Sequence, residues 1–219
     1  MSTADAYNSA TSIDARFYDR FYSLFCTIHK YIHAYIKYCM QIGPRTTVIE
    51  LGAGTGLLGM VCKLIGASTV ILTDHDSVSI NHMVLDSQRN GVDVSVRHLN
   101  WYDPKLDGLP AISFETNGGD LLVVAGDVLY KQPLVRPFFE TVRLLLSSSS
   151  LAPLTSSRRM LLCHVPRAGV THEIVMDSAA AAGLVAVEVL PDEWKRGDCC
   201  RYCDADDLLR AKLLEITLS

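Results

Sequence analysis

From Thr46 onward, short runs that are apolar almost throughout alternate with longer stretches that are apolar on one face only. A run of five to seven apolar residues reads as a strand covered on both faces, and a 3.6-residue recurrence reads as a helix lying on it. The strands are expected at Thr47–Leu51, Thr69–Asp74, Val94–Leu99, Asp120–Ala125, Met160–His164, Leu184–Leu190 and Leu213–Leu218. Helices are expected at Leu57–Ile65, Ser77–Asn90, Pro133–Leu146 and Thr171–Ala181. The punctuation agrees, because Asp76 or Ser77 can cap the second helix, Asn90-Gly91 can end it, and Pro133 suits a first turn. Between the last two strands there is room only for a short helical piece, around Asp204–Leu209, so their pairing is expected to be antiparallel at the sheet edge. The pattern as a whole is that of an α/β chain with seven strands, mostly parallel, and helices on both faces.

Ahead of the first strand, Phe17 to Met40 carries eight aromatic residues, among them Phe21, Tyr22, Phe25, Tyr31 and Tyr35, at helical spacing. Residues 1–45 are therefore expected to form a helical extension that packs on the core of residues 46–219, the two making one domain. No internal repeat and no second core is evident. Asp103–Gly119 and the serine-rich Ser147–Ser157 read as loops.

Candidate chemistry concentrates in Val48-Ile49-Glu50-Leu51-Gly52-Ala53-Gly54-Thr55-Gly56-Leu57, where a strand runs through an acid and a glycine-rich turn into a helix. Glycines in such a turn let a ligand approach the backbone. Gly52, Ala53, Gly54 and Gly56 are the expected contacts. Glu50 bears on the choice of ligand, since a carboxylate there attracts an ammonium group and repels a pyrophosphate. That favours S-adenosylmethionine, although Gly54-Thr55-Gly56-Leu57-Leu58-Gly59 also fits the dinucleotide fingerprint. Asp74, at the end of the second strand, suits the ribose hydroxyls of either cofactor, with His75 beside it near the ribose or base. The third and fourth expected strands end in Asn100-Trp101 and Gly126-Asp127. Ligands of open parallel sheets bind beyond the carboxyl ends of the strands, so these residues should share one crevice with Glu50 and Asp74. Asn100 can accept from an adenine amine through its amide oxygen, and Trp101 offers the base an aromatic face.

Composition narrows the setting. With 219 residues, 49% of them hydrophobic, the chain can bury a sizeable core. Its net charge of -4 and the lack of a basic run argue against general nucleic-acid binding. No apolar run is long enough to span a bilayer, and the polar start has neither signal-peptide nor transit-peptide character. Seven scattered cysteines suggest free thiols, hence the cytoplasm, with the nucleus as a further possibility. Cys199, Cys200 and Cys203 lack the paired spacing of a zinc site, and no metal is expected.

The donor loop Glu50–Leu57, Thr73-Asp74, Leu99-Asn100-Trp101 and Asp127-Val128-Leu129-Tyr130 together resemble methyltransferase family 16, seven-strand Rossmann-like enzymes whose better-known members methylate protein lysines. The resemblance spans roughly Thr46 to Leu190. It implies S-adenosyl-L-methionine as cofactor, with S-adenosyl-L-homocysteine as product, and it makes Asp127–Tyr130 the family's D-x-x-Y signature. Arg167 sits where the family often has an arginine. Two departures stand out: no Trp occurs between Cys26 and Met40, and Asn100 replaces the usual acid, though an amide can accept the same bond.

A lysine acceptor must lose its proton before it can attack, and Asp127 and Tyr130 are the candidate catalytic residues, Asp127 orienting the amine and Tyr130 helping to close its channel. The expected partner is a protein substrate, with no membrane and no nucleic acid. Other acceptors, a small molecule or a His or Arg side chain, fit the same motifs. An NAD-dependent oxidoreductase and a non-catalytic binding module are the readings from other classes.

Overall fold

The computed structural model describes residues 42–106, 109, 119–149, 157–189 and 210–219. The expected N-terminal helical extension, most of the two loops, the cysteines at 199, 200 and 203 and the short piece at 204–209 lie outside those residues. Within them the chain runs β1 (Thr46–Leu51), α1 (Leu57–Leu64), β2 (Thr69–Asp74), α2 (Ser77–Arg89), β3 (Ser95–His98), β4 (Asp120–Gly126), α3 (Gln132–Ser147), β5 (Arg158–His164), α4 (His172–Ala181), β6 (Leu184–Glu188) and β7 (Lys212–Leu218).

The strands form one sheet in the order β3-β2-β1-β4-β5-β7-β6. The first five in that row are parallel, and β7 runs antiparallel to both neighbours, β5 and β6. The antiparallel pairing expected at the sheet edge is present. β7 is inserted inside β6, so its backbone is paired on both sides and Leu213, Leu214 and Ile216 are fully buried.

Successive residues of a strand point to opposite faces, which divides the apolar runs between two cores. Val48, Val70, Leu72, Leu122 and Val124 pack under α1 and α2 with Leu58, Val61 and Met83. Ile49, Leu51, Ile71, Val123 and Ala125 pack under α3 and α4 with Phe138, Phe139, Val142 and Val175. Phe138 and Phe139 are fully buried, and each contributes about 1.5–3 kcal/mol through its removal from water.

The helix ends show local chemistry at work. Asp76 caps α2, its side chain accepting from the Ser79 N–H at 3.0 Å, and Thr171 caps α4 by accepting from Ile174 at 3.3 Å. In α3, Pro137 cannot donate to the carbonyl of Pro133 one turn earlier. That carbonyl instead accepts the Tyr102 hydroxyl at 3.2 Å, while Thr141 Oγ1 donates to the carbonyl of Pro137 at 2.8 Å. A helix defect thereby ties α3 to the segment that follows β3.

Strand order reverses between β1 and β4, whose following helices, α1 and α3, pack against opposite cores. The chain therefore leaves the two strands in opposite directions and opens a crevice at their carboxyl ends.

Candidate functional site

A cleft of about 190 Å³ lies at this reversal, lined by Gly52, Asp74, His75, Leu99, Asn100, Trp101, Tyr102, Gly126, Asp127, Val128, Tyr130 and Leu134. Eight of the residues expected from sequence meet there: Gly52, Asp74, His75, Asn100, Trp101, Gly126, Asp127 and Tyr130. Glu50, Ala53, Gly54 and Gly56 do not line it. They shape the loop that forms its wall.

The loop is pinned to β2 by backbone and side chains alike. Ala53 N–H donates to Thr73 O at 2.9 Å, and the Thr73 hydroxyl donates to Glu50 O at 2.6 Å. Asp74 accepts from Gly54 N–H with one oxygen and from Asp76 N–H with the other, both at 3.0 Å, and His75 Nδ1 lies 3.3 Å from it. A carboxylate has about four acceptor positions, so Asp74 keeps capacity for ligand hydroxyls.

Gly52 shows why this position takes no larger residue. Its φ of +62° is left-handed, and an added Cβ would lie 3.0 Å from Val128 Cγ1 and 3.2 Å from Trp101 Cζ2. The substitution would strain the turn and fill the cleft wall together.

Glu50 departs from the expectation of a carboxylate facing the ligand. It is buried beneath the loop, where Oε2 accepts from the Gly59 N–H at 2.7 Å. The cap of α1 is Gly56, which offers no side-chain acceptor, so Glu50 serves from the neighbouring strand an N–H that would otherwise lack a partner. Gly59 permits this approach, since a Cβ there would come within 2.8 Å of that oxygen and 2.2 Å of Leu72 Cδ2. Burial pushes the Glu50 carboxyl up to about 8; the Gly59 N–H restrains the rise and Asp74 adds to it.

On the adenine side of the expected ligand, Asn100 Oδ1 accepts from Tyr102 N–H at 3.0 Å and holds a tight turn. Trp101 stands edge-on to Phe138, with centroids 5.0 Å apart, and also reaches the cleft, so it serves both core and wall. Tyr130 is 53% exposed, with Lys131 Nζ 5.7 Å from its ring centroid. Leu99, Tyr102, Val128 and Leu134 were not singled out from sequence; only their nearness to the strand ends could have suggested them.

Asp127 is the sole non-glycine residue with positive φ among those described, at 56°. Its N–H donates to Cys163 O at 2.8 Å, and its carboxylate meets the Arg167 guanidinium through both oxygens, Nη1 reaching Oδ1 at 2.7 Å and Nη2 reaching Oδ2. Val165 N–H approaches Oδ1 at 3.4 Å. Close by, His164 is fully buried, and neither ring nitrogen has a partner among the described residues. Burial lowers its pKa to about 4, against the pull of Asp127, with His172 and Arg167 adding to the fall.

The family described as lysine methyltransferase, methyltransferase family 16, matches residues 26–164, well over half of the chain. The chain belongs to that family. It is 33% identical over 119 residues to the protein N-lysine methyltransferase METTL21A of Xenopus tropicalis, covering 52% of this chain and 50% of that protein. It is 34% identical over 124 residues to the protein N-terminal and lysine N-methyltransferase EFM7 of Cryptococcus neoformans, covering 50% of this chain and 38% of that one. The chain spans half or less of the length of the curated relatives it matches. In fold it is similar to a TehB-like SAM-dependent methyltransferase from Corynebacterium glutamicum, with a TM-score of 0.59 at 15% identity over 100% of both chains.

Proposed function

We propose that this chain transfers the methyl group of S-adenosylmethionine to a lysine side chain of a protein. The observation that carries the reading is the meeting, in one cleft at the sheet reversal, of Gly52 of the donor loop and Asp74 at the end of β2 with Asp127 and Tyr130. The wall fits such a cofactor where Gly52 lets the backbone come close, a space that any Cβ would fill.

When bound, the cofactor supplies a methyl group on a positively charged sulfur, already reactive toward a lone pair. The protein's task is then placement and exclusion of water. Asp74 would take the ribose hydroxyls, and Asn100 and Trp101 the base. Glu50 acts beneath the loop through its charge, which the ligand's cationic groups favour. Asp127 would orient the incoming amine, and Tyr130 would line its path. Tyr130 and Tyr102 stay 53% and 62% exposed, an open rim that suits a side chain presented on a protein surface. Among the described residues, no helix is long and apolar enough to cross a membrane. The cytosol or nucleus is the proposed setting, resting on the scattered cysteines of the sequence.

The test begins with thermal unfolding in the presence of S-adenosylmethionine, S-adenosylhomocysteine or NAD. Stabilisation by the two adenosyl ligands and not by NAD is expected, about 2.7 kcal/mol at 100 times the dissociation constant. Label transfer from methyl-labelled donor to lysate proteins, followed by hydrolysis and identification of the methylated amino acid, then decides the acceptor. Label in methylhistidine or methylarginine would overturn the lysine reading, and stabilisation by NAD alone would overturn the cofactor.

A further inference from the structure

Asp127 and Arg167 form a pair that the sequence holds 40 residues apart and the sheet brings together. Gly126 pairs with Cys163 in register, so the chain leaves β4 and β5 side by side. The turn carrying Arg167 is fixed by reciprocal backbone bonds with Val170, at 3.1 and 3.0 Å. Asp127 sits in a left-handed conformation that few residues other than glycine tolerate, Asp and Asn being the best of them. Backbone strain of this kind persists where the surroundings over-determine it. Here the surroundings are the Arg167 fork and the Cys163 carbonyl.

Taking a lysine as the acceptor, we infer that Arg167 is a positioning and specificity residue, which occupies both oxygens of Asp127 and offers the acceptor a neutral ion pair in place of a bare carboxylate. A bare carboxylate would hold a lysine as its ammonium, which has no lone pair and cannot be methylated. The pair removes that preference. The ammonium then gives its proton to water on the way in, and the free amine forms the new N–C bond as the methyl–sulfur bond breaks onto sulfur. Asp127 Oδ2 still has one acceptor position for an amine N–H, so orientation survives while charge attraction does not.

The other titratable groups around this end of the sheet do not replace that role. Asp74 and His75 line the donor side of the cleft, and Tyr102 and Tyr130 its rim. Lys131 lies over the Tyr130 ring. His164 is buried and, with its pKa lowered to about 4, neutral across the working range; His172 and Lys212 face Glu188 at 3.8 and 2.9 Å, and Arg210 donates to the Pro166 carbonyl at 2.8 Å.

The inference makes predictions of opposite sign for the two partners. Removing the cation in Arg167→Gln leaves a bare carboxylate, so the amine holds its proton to higher pH; removing the anion in Asp127→Asn takes away the carboxylate and keeps the positive charge of the guanidinium at the site, which drives the proton off earlier. Initial rates of methyllysine formation would be measured from pH 6 to 10 with methyl-labelled S-adenosylmethionine and whole-lysate protein as the probe. The midpoint of the rate profile should move alkaline by about one pH unit in Arg167→Gln, roughly a tenfold loss of rate on the acidic limb, and acidic by a similar amount in Asp127→Asn. Arg167→Lys, which keeps the charge and loses the fork, should keep the wild-type midpoint at a lower maximal rate. Added guanidinium at tens of millimolar should move Arg167→Gln back toward wild type. Calorimetric binding of S-adenosylhomocysteine confirms that each variant is folded. Midpoints unchanged in variants that still bind it, or shifted the same way in both, overturn the inference. If Arg167→Gln fails to bind it, the direction of the Asp127→Asn shift decides alone. Wild type that binds S-adenosylhomocysteine but forms no methyllysine refutes the lysine reading itself, a result distinct from unchanged midpoints.

Discussion

Glu50 sets the stability of the ligand-free fold against the affinity of its donor loop, and Glu50→Gln measures the conflict. In the unfolded chain this carboxyl titrates near 4.5; in the folded chain burial pushes it up to about 8. Below about pH 4.5 both states hold the proton and ionisation makes no difference to stability. Between 4.5 and about 8 the unfolded chain releases the proton while the folded chain keeps it, so stability falls as pH rises, and above about 8 the loss is complete. At ~1.36 kcal/mol per pH unit this window amounts to at most roughly 5 kcal/mol, and relaxation around the ionised group reduces it to the order of 2–4 kcal/mol. Glutamine has nearly the same shape, and its amide oxygen can accept the Gly59 N–H in place of Oε2. The variant thus removes the titration and keeps the bond.

Urea unfolding of both proteins without ligand, at pH 5 and pH 8.5, reads the effect. Glu50→Gln should be within about 1 kcal/mol of wild type at pH 5 and more stable by the order of 2–4 kcal/mol at pH 8.5. Because every other titrating group is common to both proteins, the difference isolates Glu50. A difference that does not change with pH, or a variant less stable at pH 8.5 than at pH 5 relative to wild type, would refute the reasoning.

The same charge makes donor binding depend on pH, since a cationic ligand favours the ionised form: wild-type affinity for S-adenosylmethionine should rise between pH 6.5 and 8.5 and that of Glu50→Gln should stay flat, as calorimetry can show. Gly52→Ala should weaken S-adenosylhomocysteine more than tenfold by calorimetry, because its Cβ meets Val128 and Trp101 at 3.0 and 3.2 Å, and should destabilise the fold by about 1 kcal/mol for its left-handed φ. Pro137→Ala restores an N–H to the interior of α3 and should raise the urea midpoint, by up to ~3 kcal/mol in stability, without loss of S-adenosylhomocysteine binding. Phe138→Ala, by contrast, empties a fully buried position against Trp101 and should cost about 3–5 kcal/mol in the same measurement.

The donor half of the site was legible because its information is local. One segment, Val48 to Gly59, contains the strand, the turn, the acid and the start of the helix, and the acid at the end of β2 follows within 20 residues of Gly54. The boundaries of the inner strands were equally legible, since β1, β2, β4 and β5 are buried on both faces over most of their length and are nearly continuous apolar runs. What the segment could not reveal was the direction of the Glu50 side chain. A carboxylate near a glycine loop has two attractive partners, a ligand's ammonium and the unpaired N–H groups of the helix that follows. The choice turned on Gly56, a cap without a side chain, and on Gly59, a residue small enough to admit the oxygen.

The acceptor half is non-local, and its decisive contact was out of reach of any spacing argument. Asp127 and Arg167 meet only because β4 and β5 are parallel neighbours in a particular register, and the positive φ of Asp127 has no sequence signal beyond the tolerance of Asp for that region. The two halves also use their carboxylates in opposite ways. Beneath the donor loop Glu50 has no cationic side-chain partner among the described residues, so a cationic ligand gains by ionising it. Across the cleft Asp127 already has its cation, so an ammonium gains little by entering. For the proposed lysine acceptor, a site arranged like this attracts charge where the donor binds and withholds it where the amine must arrive neutral, which is the asymmetry that methyl transfer to an amine requires.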